Sequence, residues 1–232
     1  MERLRYLFAA PLLAALALTA CSPPKYVPYT SVHGDWRSSV PWHWDVMTDQ
    51  EDDVFTNTNL IGPFEPDFYL GAPSFSVRWH AYKRSHTLPS GFVEYYQDVD
   101  DYIDQMLKRV YGPDYHIVDE DNPHIEGTVT QLRVAGRMAR HFVVLSAVNV
   151  PDTTKWGTST DAQTNKTVVV RRHEYVIVPE DTGFYVLIYP ATLKGFDLYK
   201  PQFNNFVHNF TILKTSPFAA AAAPMSGAAA SR

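Results

Sequence analysis

The chain has 232 residues, of which 45% are hydrophobic and 14% aromatic, with 20 basic side chains against 25 acidic ones. A net charge of −5 excludes the clustered Lys and Arg surface that phosphate-backbone binding needs, so nucleic acid is not an expected partner. The lone cysteine, Cys21, excludes both a disulfide framework and a thiolate metal cluster.

Residues 1–20 have the layout of a secretory signal peptide, with Arg3 and Arg5 in a short head, an apolar run over residues 7–18, and small Thr19 and Ala20. The run is about a dozen residues long, against the roughly 20 that a spanning helix needs. Its end, Leu18-Thr19-Ala20-Cys21, resembles the lipobox of bacterial lipoproteins, which implies cleavage before Cys21 and acylation of that residue. Two or more acyl chains give stable anchoring, so the membrane is the expected partner of Cys21. Ser22 after the cysteine implies export to the outer membrane, with the protein facing the periplasm. The competing reading is an ordinary signal peptide with an accidental cysteine beside it.

Residues 21–40, with three prolines and many small polar residues, read as a lipidated tether. Residues 41–213 are long enough for one domain with a sizeable core. Residues 214–232 form an Ala-rich tail interrupted by Pro224 and Gly227, and read as disordered.

Within the domain, "SFSVRWHAY" alternates Phe75, Val77, Trp79 and Ala81 with more polar residues, which predicts a half-buried strand. The clearest helix follows: Val99, Tyr102, Ile103, Met106, Leu107, Val110 and Tyr111 recur at three- and four-residue spacing. Asp98 precedes them as N-cap and Gly112-Pro113 stops the run. "GTVTQLRVAG", "RHFVVLSAVNV", "TVVVRRHEYVIV" and "GFYVLIYPA" predict further strands. "PEDTGF" predicts a hairpin turn in which Gly183 takes positive φ. Short connections imply largely antiparallel pairing. A second helix is predicted near Leu198, with Pro201 in its first turn and Phe203, Phe206, Val207 and Phe210 as its apolar stripe.

Residues 40–44 (Val-Pro-Trp-His-Trp), residues 132–140 (LRVAGRMAR) and the ending over residues 183–213 together resemble the PsbP-like family, which includes bacterial lipoproteins. The resemblance spans residues 40–213. It implies an α+β fold, an αβα sandwich with a largely antiparallel sheet flanked by helices, and binding or assembly roles more often than catalysis.

Nine histidines form no HxH, HxxxH or HExxH pattern, and no metal or other cofactor is expected. His173 and Glu174 are strand neighbours and point to opposite faces. No GxSxG elbow, GxGxxG or P-loop occurs, and an enzyme is not expected. Trp42, His43 and Trp44 are candidate ligand contacts, or else a lid on the core. Arg133, Arg137, Arg140, Arg171 and Arg172 read as an anionic-partner patch or as charges guarding a sheet edge. Trp156, on the polar loop 151–166, is either a partner contact or a lid folded back on the sheet. The expected function is that of a lipid-anchored, non-catalytic envelope protein that binds a protein partner or assists assembly of a complex. The alternative is a carrier of a small apolar or lipid ligand.

Overall fold

The structure is a computed structural model, and it describes residues 25–49, 54–65, 68, 71–150, 159–161 and 166–214. Cys21, Trp156, residues 1–20, read above as a signal peptide, and the residues beyond Lys214 lie outside the described residues. Along the chain the elements are β1 (Tyr26–Thr30), β2 (Trp36–Pro41), β3 (Asp45–Asp49), β4 (Phe55–Ile61), β5 (Ser74–Ala81), β6 (Ser85–Thr87), β7 (Val93–Tyr95) and α1 (Val99–Tyr111). They continue with β8 (Tyr115–Val118), β9 (Thr130–Val134), β10 (Arg137–Val150), β11 (Ser159–Asp161), β12 (Lys166–Pro179), β13 (Gly183–Thr192), α2 (Phe196–Asn209) and β14 (Thr211–Ile212).

The β-branched and aromatic runs pair into an antiparallel sheet of order β3-β4-β5-β13-β12-β10-β8, with β9 on the remaining length of β10 and β11 on the start of β12. Strand β13 is buried along almost its whole length because both faces of the sheet are covered. On one face α1 sets Tyr102, Ile103, Met106 and Leu107 against Phe142, Val144, Ile177, Phe184 and Val186. On the other, α2 sets Phe203, Phe206 and Val207 against Phe75, Val77, Val176, Leu187 and Tyr189. The result is the expected αβα sandwich.

Helix α1 forms where its pattern predicts. The Asp98 side chain accepts the Asp101 N–H at 2.9 Å, Lys108 and Arg109 occupy the last turn, and Gly112 closes it at φ 67°. Helix α2 starts at Phe196, two residues before the predicted start, so Pro201 lies beyond the first turn and its missing N–H falls inside the helix. Gly183 also differs from expectation, because it is absent from the positive-φ residues. Its requirement is close approach: a Cβ there would stand 2.2 Å from the His80 carbonyl oxygen and 2.9 Å from the Trp79 ring.

The larger correction concerns residues 26–40, read above as tether. They form a hairpin, β1 with β2, to which β14 adds a third strand. Trp36, only 2% exposed, stacks on Phe210 at 5.6 Å between ring centres and meets Phe206 edge-on at 6.2 Å. The Asp35 carboxylate is buried with the Ser31 and Tyr185 hydroxyls as donors. The domain therefore begins at β1 and not at residue 41. Trp36 and Val40 are part of the same core cluster as α2.

Candidate functional site

Beyond β8 the chain folds back on itself. The Asp119 carboxylate accepts the N–H groups of Asp121 at 3.0 Å and Asn122 at 2.9 Å, and Gly127 returns its N–H to the Ile117 carbonyl at 3.0 Å. This loop carries Glu120 over the sheet. There it meets His141 of β10 and Glu174 of β12, which share a face because the β10–β12 register opposes His141 to Val176 and Val143 to Glu174. Lys200 reaches down from α2.

Within this cluster His141 Nε2 lies 2.9 Å from Glu174 Oε1 and 3.7 Å from Glu120 Oε2. The Lys200 ammonium lies 2.7 Å from Glu120 Oε1 and also contacts Glu174 Oε2. Burial works to raise the Glu120 carboxyl, but the hydrogen bond and charge of Lys200, with His141 behind them, outweigh it and hold Glu120 below the usual carboxylate range. Next to it Arg172, 2% exposed, lies 4.0 Å over the Phe196 ring, donates to Asp197 at 3.2 Å and bonds the Glu120 carbonyl. The first turn of α2 is thus fastened to β12 and to the Glu120 loop by two cations.

Two cavities flank the cluster. One, of about 360 Å³, is lined by Glu120, His141 and Glu174 together with Leu132, Val134 and Val207. The other, of about 350 Å³, shares Glu120 and His141 and adds Asp119, Glu126 and Thr130.

Glu120, His141 and Glu174 place their ligand atoms within 4.8 Å of one another, a donor set that suits a divalent cation. The Lys200 ammonium already contacts both carboxylates at that place, so the chain itself offsets part of the charge of the cluster. Thr130 Oγ1 is 3.3 Å from His141 Nδ1 and 3.2 Å from the His141 carbonyl oxygen, to which it donates. The arrangement can bind a hydrogen-bonding group at the cavity wall.

The residues singled out in the sequence separate. Trp44 is half-buried against Phe75 at 4.6 Å and Tyr199 at 5.9 Å, a core lid. Trp42 and His43 are exposed and in mutual edge contact at 4.7 Å, with His43 at φ 67°. The five arginines do not form one patch. Arg133 is exposed on β9, Arg137 pairs with Asp181 at 3.0 Å, and Arg140 is bidentate on Asp100 at 2.9 and 3.1 Å. Arg171 lies 4.8 Å over the Tyr111 ring, and Arg172 is interior. Glu120, His141, Glu174 and Lys200 carried no signal in their spacing; only strand register and helix docking unite them.

No protein-family model matches the sequence, and no curated protein matches it. Among solved structures the chain is similar to cyanobacterial PsbP from Synechocystis sp. PCC 6803, at 12% identity and a TM-score of 0.48, over 83% of this chain and 95% of that one. It is also similar to the Ran-binding protein Mog1p of Saccharomyces cerevisiae, at 10% identity and a TM-score of 0.40, over 82% of this chain and 97% of that one. The arrangement itself, a largely antiparallel sheet with a helix on each face, is read from this chain's own pairing and packing. These likenesses concern the path of the chain and not its chemistry.

Proposed function

We propose that the protein is a lipid-anchored, non-catalytic component of the bacterial envelope, held through acylated Cys21 on the outer membrane and facing the periplasm, where it binds a protein partner. The observation that carries this reading is the sequence Leu18-Thr19-Ala20-Cys21 at the end of the apolar run, followed after a short link by the first strand at Tyr26. Among the described residues no helix is long and apolar enough to cross a membrane, so the acyl group is the attachment this reading requires.

Two features favour binding over catalysis or transport. The carboxylates of the Glu120 cluster are engaged by Lys200 and His141, and the neighbouring Thr130 hydroxyl bonds the His141 carbonyl. The aromatic residues where a carrier would hold an apolar ligand are engaged in packing between the sheet and α2: Phe75 lies 5.6 Å from Tyr189 and 5.2 Å from Phe203, and Tyr189 lies 5.5 Å from Phe203. The surface offered to a partner is the β9 margin, where Arg133 is exposed at the wall of one of the two cavities and Gln131 is exposed toward α1, beside Asp100 and Arg140.

The test has two arms. Cys21→Ala is expected to lose labelling by a palmitate analogue and to leave the membrane pellet; a processed variant that stays in the pellet after a salt wash refutes the anchor. A photo-crosslinking amino acid in place of Gln131 is expected to give one discrete protein adduct in intact cells, and its failure to do so refutes the partner surface.

A further inference from the structure

We infer that the hairpin β1–β2 and the turn after it rest on an anionic lipid headgroup surface, so that the domain is docked on the bilayer and not merely leashed to it. The inference rests on the lipid-anchor reading above. Four observations converge on this face.

The first is geometric. The carbonyl of Lys25, the residue before β1, accepts the Trp42 N–H at 3.1 Å, so the turn after β2 lies beside the point where the chain arrives from Cys21. A link of Ser22-Pro23-Pro24-Lys25 reaches on the order of 12 Å at about 3.1 Å per residue for a proline-rich segment. An anchor at Cys21 therefore brings this face, before any other, to headgroup depth.

The second is the side chain placed there. Trp42 is 41% exposed and His43 beside it is exposed as well, while their neighbour Trp44 is used in the core. An indole with a polar edge, next to a lysine able to extend its ammonium outward, is the pair that an interface between acyl chains and water favours. At the far end of the same hairpin Val32 is 67% exposed.

The third is charge. In a chain of net charge −5, residues 25–44 contain a single carboxylate, Asp35, and it is 2% exposed and occupied by Ser31 and Tyr185. The cations Lys25 and Arg37 are exposed, and Lys214, whose N–H reaches the Asp35 carbonyl at 3.4 Å, adds a third at the hairpin turn. Each such cation near an anionic leaflet contributes attraction that falls off within a Debye length.

The fourth is the strand alternation. Trp36, Ser38 and Val40 of β2 turn inward to α2, which leaves Arg37 on the outer face with Pro28 and Thr30 of β1. No carboxylate is presented on that outer face by β1 or β2.

The test uses the full-length acylated protein in vesicles of phosphatidylglycerol and phosphatidylethanolamine carrying a headgroup nitroxide, with tryptophan fluorescence as readout. Quenching is expected in the parent protein. It should fall in Trp42→Phe, fall in the Lys25→Glu/Arg37→Glu variant, and weaken at high salt or in phosphatidylcholine vesicles. If mass spectrometry finds no acyl group on Cys21, the anchor fails and the docking falls with it. If Cys21 is acylated and the protein is vesicle-bound, yet quenching is indifferent to Trp42→Phe, the docking alone is overturned and this face is left to a protein partner.

Discussion

The Tyr185 hydroxyl donates a 2.8 Å hydrogen bond to the Asp35 carboxylate, joining the middle of the sheet to the turn of the N-terminal hairpin. Both groups are buried, and burial, followed by the Asp35 charge, pushes the phenol above its ordinary range. Tyr185→Phe leaves the carboxylate with one fewer donor, and the loss of a hydrogen bond to a buried charged group costs about 1–3 kcal/mol. The urea midpoint should fall with an unchanged m-value. Tyr185→Phe/Asp35→Asn should recover part of the loss, and equal midpoints for parent and Tyr185→Phe would sink the idea.

Lys200 is the cation of the Glu120 cluster, and its removal leaves Glu174, with 3% of its side chain exposed, facing Glu120 without compensation. Breaking a buried ion pair from one side costs about 3–5 kcal/mol. Lys200→Met should therefore lower the melting temperature sharply, and adding Glu174→Gln should restore part of it in a double-mutant cycle. Because the remaining donor atoms suit a divalent cation, Mn²⁺ should raise the melting temperature of Lys200→Met more than that of the parent. An equal response in the two proteins would show that the ammonium does not occupy a cation's place.

The pH dependence of stability follows from two interior imidazoles. Burial first, and then the Arg171 charge, hold His173 down to about 3; burial, then Arg78, His86 and Arg109, hold His80 well below its ordinary value. In the unfolded chain both titrate near about 6.5. Between those values the unfolded state binds more protons, so stability is complete above about pH 6.5 and is lost as pH falls, by up to about 1.4 kcal/mol per pH unit for each group. Unfolded-chain carboxylates titrate near about 4, so the window from about pH 5 to 6.5 isolates the histidines. His173→Gln should flatten the urea midpoint against pH in that window; a slope equal to the parent's would refute the assignment.

Gly183→Ala tests close approach at the β12–β13 hairpin. The added Cβ meets the His80 carbonyl oxygen, a backbone atom with no freedom to withdraw, at 2.2 Å. Overpacking of this kind costs about 1–3 kcal/mol. The loss should appear in thermal unfolding, whereas Gly91→Ala, at a position with open space around it and φ 82°, reports the backbone term alone. If both variants lose the same stability, steric approach at Gly183 is not the constraint.

Helix α1 was legible because every signal for it is local: an Asp cap, an apolar stripe, basic residues in the last turn and a glycine stop. The central strands were legible for the same reason, through runs of β-branched and aromatic residues. The N-terminal hairpin was not. Prolines and small polar residues masked it, and the partners that bury Trp36 are Phe206 and Phe210 at the other end of the chain. Glu120 stands in an acidic triplet that reads as a solvated loop, and only the turn gathered by the Asp119 carboxylate and the reach of Lys200 bring it inward. Arg171 and Arg172, adjacent and alike in sequence, point to opposite faces, one toward Tyr111 beneath α1 and the other toward Phe196 beneath α2.

The pairing of Arg37 with Thr211 and Trp36 with Ile212 sets an order of events for folding. A chain made from its N-terminus exposes β2 long before it supplies α2 and β14, so until those are made Trp36 lacks Phe206 and Phe210 and one edge of β2 has no mate. Closing contacts over such sequence separation is slow, and an open, apolar strand edge invites association with other chains in the meantime. Loss of the residues around β14 removes the mate of that β2 edge and returns a finished molecule to the same exposed condition.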